Sequence, residues 1–321
     1  MNNKLSTVIS KMNEYGKDGK PFFFIFDFEL ENPCVFLLDE LIKENIFFKI
    51  NEKNPDKYQK KILLTKKPIE FSLYKNSFDF VVNEISKGNS YLLNLTFPTE
   101  IETNLTLEEI FVHSTAKYKL LYKDQFVVFS PETFVKIEDG IISSYPMKGT
   151  IDASLPNAEE AILNDEKEFA EHVTIVDLIR NDLSIISKNV RVEKFRYVEK
   201  IITNQKELLQ VSSKIVGELE KDYNERIGDI IYAMLPAGSI SGAPKKKTIE
   251  IIQRAEKGKR GFYTGVFGIF DGKNLDSAVM IRFIEKAKDK LFFRSGGGIT
   301  FMSNLENEYQ ELIDKIYVPI I

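Results

Sequence analysis

A chain of 321 residues, 43% hydrophobic and 29% charged, has room for two domains or one large one and is too apolar for extended disorder. Its 44 Lys and Arg against 48 Asp and Glu, net −4, exclude a general attraction to nucleic acid or an anionic membrane, so an anionic ligand must be met by locally gathered cations. One cysteine, Cys34, and two histidines, His113 and His172, exclude an internal disulfide and a multi-histidine metal site, which leaves a reducing, cytoplasmic setting and hard cations held by carboxylates.

In chain order, Phe22 to Phe28 reads as a strand, Asp39 to Asn45 as a short helix and Phe47 to Ile50 as a strand. The polar stretch Asn51 to Lys61 reads as a surface loop. Phe78, Val81, Val82 and Ile85 recur at helical spacing, which predicts a helix over Ser77 to Lys87, ended by Gly88-Asn89. Strands follow at Tyr91 to Phe97 and Phe126 to Phe129. Asp139-Gly140 is a two-residue turn signal that makes Thr133 to Glu138 and Ile141 to Tyr145 a hairpin. Asn157 to Ile186 reads as one long helical stretch. Pro244 to Gln253 reads as a helix with proline in its first turn, where a missing N–H costs nothing. Tyr263 to Phe270, Ser277 to Ala287 and Leu291 to Arg294 form a three-stranded meander, and Leu305 to Ile316 is the last helix. Antiparallel strands with interspersed helices predict an α+β fold, and the chain has neither a Rossmann fingerprint nor a P-loop.

Two acidic pairs stand at the i, i+3 spacing that shares a helix face: Glu168 with Glu171, and Glu308 with Glu311. They are either two solvated faces or the ligands of a cation such as magnesium, since four carboxylates do not gather unaided. Next to the Asp139-Gly140 hairpin lies Pro146-Met147-Lys148-Gly149-Thr150. Continuing the hairpin register outward sets Glu132 opposite Met147, beside Lys148. That is either a strand-end salt bridge or an acid next to a nucleophilic amine. In the meander the same counting sets Arg282 across from Gly296 on one side and Thr264 on the other. Tyr263, Arg282 and Gly296-Gly297-Gly298 then line up, as an internal ion pair with a glycine turn or as an anion site. The small-residue loop Pro236 to Lys245, with Ser241 in it, would let a ligand approach backbone and helix end.

Taken together, these segments resemble the chorismate-utilising enzymes. The carriers are Gly88-Asn89-Ser90-Tyr91, Ser130-Pro131-Glu132, Pro146 to Thr150, Glu168 to Leu183, Ala237 to Lys245, Arg260 to Gly265, Ala278 to Arg282, Gly296 to Gly298 and Glu308 to Lys315. The resemblance covers about residues 75–318. It implies large antiparallel sheets packed as a sandwich with helices outside, with 1–74 a short N-terminal part of the fold and 75–321 the chorismate-binding catalytic region. It implies magnesium on Glu168, Glu171, Glu308 and Glu311, and substrate held by Ser241, Tyr263, Arg282, Gly296, Gly297, Gly298 and Lys315. Lys148 stands where the anthranilate branch typically has alanine and the para-aminobenzoate branch has lysine. This points to the aminodeoxychorismate synthase component I branch, with Lys148 the nucleophile, Glu132 the acid and a glutamine amidotransferase subunit supplying ammonia. The alternatives are anthranilate synthase component I and a non-catalytic chorismate-binding subunit. Leu92 falls where many ammonia-users have Gln and isochorismate formers have Lys, so the isochorismate reaction is disfavoured.

Overall fold

A computed structural model describes residues 3–52, 57–202 and 207–320. The chain forms two compact units, each made of three segments: Met1–Glu40, Glu132–Ser239 and Thr264–Val279 in the first, Leu41–Pro131, Ile240–Tyr263 and Met280–Ile321 in the second. Each unit is built on one large antiparallel sheet with helices, the α+β class the sequence predicts.

The first unit's sheet runs in the order Met147–Asp152, Glu207–Glu218, Ile141–Ser144, Thr133–Glu138, Leu275–Val279, Val266–Phe270, Phe22–Phe26 and Cys34–Leu37. Lys188–Ile202 pairs alongside Glu207–Glu218. Phe22–Phe26 is buried at every position, so it reads as a continuous apolar run and not as an alternation. The Asp139-Gly140 turn forms as expected, with φ of +48° and +79°, the left-handed pair that a two-residue hairpin needs to follow the strand twist. Glu138 pairs with Ile141 across it. The long ribbon of Lys188–Ile202 with Glu207–Glu218 goes unpredicted, although Val190 and Val192 alternate with polar neighbours at its start. Three register shifts along it break the period that would have revealed the rest. The stretch expected as one helix is two, Ala158–Asn164 and Glu166–Ile186. Asp165 separates them and caps the second by accepting from Glu168 N at 2.9 Å. The unit also has an N-terminal helix, Asn3–Lys17, which buries Leu5, Val8, Ile9 and Met12.

The second unit's sheet runs in the order Gly242–Ala243, Leu92–Thr103, Lys290–Ile299, Phe283–Ala287, Phe126–Ser130, Tyr118–Tyr122 and Ile46–Ile50, with Leu64–Lys67 also beside Leu92–Thr103. Helices Phe71–Ser86, Lys245–Glu256 and Leu305–Asp314 lay Phe78, Val81, Ile251 and Leu312 over Leu93, Leu95, Phe97 and Ile299 to make a core. Pro244 is the N-cap of Lys245–Glu256, one residue before the expected position. Asp39 to Asn45 is not a helix; only Leu38–Glu40 makes a 3₁₀ turn. The described part of the Asn51 to Lys61 loop carries no helix or strand, and residues 53–56 lie outside the described residues.

The C-terminal meander is corrected. Ser277 to Ala287 is not one strand. Leu275–Val279 belongs to the first sheet and Phe283–Ala287 to the second, and the chain breaks at Met280–Arg282, where Arg282 has a φ of +53°. Both hairpins also sit one residue from the expected register, with Phe270 opposite Leu275 and Ala287 opposite Lys290. Arg282 is thus a corner residue, not a strand residue facing Gly296. Among the described residues, no helix is long and apolar enough to cross a membrane.

Candidate active site

In the first unit the strand Met147–Asp152 presents Lys148. Its register against Glu207–Glu218 shifts between Lys148 and Thr150, around Gly149 at a φ of +81°. This bulge turns the strand locally, and Lys148 Nζ donates to Glu171 Oε2 at 3.1 Å. Lys167 Nζ stands 3.8 Å from the other oxygen of Glu171. Glu168, one turn away, is half-buried, and desolvation followed by the charge of Glu171 raises its carboxyl above the usual range. A side chain at Gly149 would come within 3.4 Å of Glu168 Oε2.

Lys148 does not reach Glu132 by the expected ladder. Hairpin pairing ends before Tyr145-Pro146, and proline has no N–H to continue it. Pro146 O instead accepts from Ser213 N at 3.0 Å, and Met147 pairs with Ser212. Glu132 accepts a hydrogen bond from the Ser239 hydroxyl and lines a cleft with Tyr145, Pro146, Asp182 and Gly238. Sequence reasoning missed Ser239, although it lies two residues before Ser241 in the same small-residue loop. It also missed His172, whose Nε2 is 2.7 Å from Ser213 Oγ. Burial, then the charges of Arg196 and Lys148, push this imidazole down to about 4, so it is neutral at pH 7.

In the second unit Asn304 caps the last helix by accepting from Asn307 N at 3.0 Å, and the helix carries Glu308 and Glu311. Glu308 is buried and accepts from Ser303 Oγ at 2.7 Å. Glu311 pairs with Lys315 at 2.5 Å, and Lys315 also donates to Gly296 O at 2.9 Å. Gly296, Gly297 and Gly298 are not a turn. They run as strand opposite Thr96, Leu95 and Asn94, while pairing with Phe283–Ala287 ends at Arg294. Tyr263 is buried in a turn, edge-on to Phe283 at 5.8 Å, and burial pushes its hydroxyl up to about 12. Arg282 lies over the Tyr317 ring at 5.4 Å and donates to its hydroxyl at 3.4 Å, so an aromatic face takes the place of the expected apolar strand setting. Ser241 is buried at the end of Gly238–Ser241.

The acidic pairs divide two and two between the units, and among the described residues no three His, Cys, Asp or Glu side chains gather as a ready metal set. Each pair nevertheless opens onto a glycine. A Cβ on Gly297 would lie 3.1 Å from Glu308 Oε2 and 3.3 Å from Glu311 Oε1, as one on Gly149 would approach Glu168. The Tyr74 hydroxyl, buried without a hydrogen-bond partner among the described residues, feels the charges of Glu308 and Glu311. Carboxylate oxygens suit a hard, oxygen-seeking cation.

Residues 10–320 match the chorismate binding enzyme family. The chain belongs to that family. As a chorismate-binding enzyme it is 54% identical over 315 residues to an uncharacterized PabA-like protein of Haemophilus influenzae, covering 97% of this chain and 96% of that one. Relatives with named activities are more distant. Anthranilate synthase component 1 of Saccharolobus solfataricus is 33% identical, over 76% of this chain and 61% of that one. Aminodeoxychorismate synthase component 1 of Bacillus subtilis is 32% identical, over 76% and 54%. Among solved structures, the menaquinone-specific isochorismate synthase of Escherichia coli superimposes with a TM-score of 0.72 at 14% identity, over 97% of this chain and 80% of that one. It shares the fold of the chorismate-binding enzymes with this chain.

Proposed function

We propose that the chain is aminodeoxychorismate synthase component I, converting chorismate and ammonia to 4-amino-4-deoxychorismate. The observation that carries this reading is Lys148, presented at a glycine bulge with its amine on Glu171. The Bacillus subtilis relative, an aminodeoxychorismate synthase component 1, supports it. Lys148 Nζ, once deprotonated, attacks ring C2; both ring double bonds shift, to C1–C6 and C4–C5, and the C4–O bond breaks. Glu132, in its protonated form, gives the departing hydroxyl its proton, so water leaves. Ammonia then attacks C4, both double bonds shift back, the C2–N bond breaks to restore the Lys148 amine, and the new ammonium returns a proton to Glu132. Splitting one hard displacement into two easier ones is the advantage of covalent catalysis.

In this reading Arg282, Tyr263, Ser241, Lys315 and the Gly296 to Gly298 backbone hold the enolpyruvyl side of the substrate. Glu168, Glu171, Glu308 and Glu311 are the carboxylates that would hold magnesium, which when bound supplies positive charge for the ring carboxylate. A glutamine amidotransferase subunit supplies the ammonia, and the setting is cytoplasmic. The Saccharolobus solfataricus relative favours a second reading, anthranilate synthase component I. An alanine at position 148 would suit it, and a lysine argues against it. The purified chain with chorismate, magnesium and ammonia should give 4-amino-4-deoxychorismate by mass and retention time. Anthranilate would select the second reading, and no turnover with bound chorismate would select a non-catalytic subunit.

A further inference from the structure

The second unit contains a buried ion pair that the proposed reaction does not use. The Arg260 side chain is 1% exposed and that of Glu256 6%. Arg260 Nε donates to Glu256 Oε2 at 2.9 Å and Nη2 to Oε1 at 2.6 Å, a two-pronged contact. The pair lies along one edge of the strand Leu92–Thr103. On that edge Leu92 and Leu93 pair with Gly242–Ala243, and Glu100 to Thr103 pair with Leu64–Lys67. Among the described residues, no strand covers the gap between. Unpaired backbone groups at a buried edge are costly, and here the ion pair satisfies two of them. Glu256 Oε1 accepts from Thr96 N and Thr96 Oγ1, each at 2.9 Å, and Asn94 O accepts from Arg260 Nη2 at 2.5 Å.

The same arginine reaches two further backbones. Its Nη1 donates to Ile240 O at 3.1 Å, one residue before Ser241. Its own carbonyl accepts from Tyr263 N at 3.2 Å, closing the turn that carries Tyr263. On the far edge of Leu92–Thr103, Thr96 is opposite Gly296 and Asn94 opposite Gly298. A single ion pair thus fixes the backbones on which Ser241, Tyr263 and Gly296 to Gly298 are mounted.

A buried ion pair is often no more stabilising than apolar residues of the same size, so stability alone is a weak reason for it. We infer that Arg260 and Glu256 are positioning residues that set the substrate-holding backbones of the second unit at the spacing chorismate requires. This rests on the reading of Ser241, Tyr263 and Gly296 to Gly298 as substrate-binding. It predicts that loosening the clamp weakens chorismate binding in a chain that is still folded.

The test is calorimetric titration of chorismate, with magnesium, into wild type, Arg260→Lys and Thr96→Val, beside steady-state kinetics with ammonia. Arg260→Lys keeps the charge and loses the fork; Thr96→Val keeps the shape and loses one hydroxyl contact. The expected result is a Kd raised tenfold or more in Arg260→Lys and about threefold in Thr96→Val, with KM rising by a larger factor than kcat falls. A merely structural role would lower the melting temperature and leave the Kd of the folded chain unchanged. A Kd within twofold of wild type in both folded variants would overturn the clamp. If Arg260→Lys does not fold, Thr96→Val decides alone. A wild type that binds no chorismate would count against the substrate reading instead.

Discussion

Lys148 and Arg282 are both cations, and their surroundings give them different tasks. Lys148 Nζ donates to the Glu171 carboxylate and sits on a strand. Lys148→Ala should reduce 4-amino-4-deoxychorismate formation by at least a hundredfold while the chorismate Kd moves less than threefold. Product quantitation beside calorimetry checks this, and an undiminished rate would mean that ammonia attacks directly. Arg282 is a flat group laid on the Tyr317 ring. A lysine there keeps the charge and loses both the stacking and the fork, so Arg282→Lys should raise the chorismate KM about tenfold in a folded chain. Tyr263 offers a pH signature. Its folded hydroxyl titrates at about 12, above the ~10 of a free tyrosine. A raised pKa of this kind contributes stability that is complete below pH ~10 and is lost between pH ~10 and about 12, as the unfolded chain gives up its proton first. Melting temperature followed over that window should fall less steeply in Tyr263→Phe than in wild type.

The elements that were legible in the sequence are those whose cause is local. Asp139-Gly140 announced its hairpin because only certain residues accept two left-handed conformations in succession. The apolar spacing of Phe78, Val81 and Ile85 announced its helix. The acidic pairs were legible for the same reason, since i, i+3 fixes a shared face wherever the helix packs. What was not legible depends on distant chain. Nothing between Ser277 and Ala287 marks the break at Met280–Arg282, because each flanking strand is recruited by a different sheet. That break takes Arg282 off the strand altogether. Gly149 belongs to the Pro146 to Thr150 segment, and its physical role is the bulge beside Lys148. A Cβ at its φ of +81° costs about 1–2 kcal/mol and would press on Glu168 and Ile162 at 3.4 Å. Gly149→Ala should therefore lower unfolding free energy by roughly that amount in urea titration, and lower kcat more than it raises chorismate KM.

At the scale of the whole molecule, the proposed magnesium chemistry draws on Glu168 and Glu171 of one unit and Glu308 and Glu311 of the other. Excess chelator should abolish turnover with ammonia and added magnesium should restore it. Glu168→Gln and Glu311→Gln should each raise the magnesium concentration needed for half-maximal rate, although they lie in different units. Full turnover in chelator would remove magnesium from the mechanism. The three-segment make-up of the first unit also bears on how the chain is born. Phe22–Phe26, apolar throughout, leaves the ribosome early and can pair with Cys34–Leu37 almost at once. Its other neighbour, Val266–Phe270, is synthesised roughly 250 residues later, on the order of 10–50 s at ordinary elongation rates. For that interval five consecutive large apolar side chains wait with one edge unclaimed. A nascent chain in this condition is a natural client for a holdase, and slowing translation after residue 40 should increase its loss to aggregation before the finished enzyme ever meets its substrate.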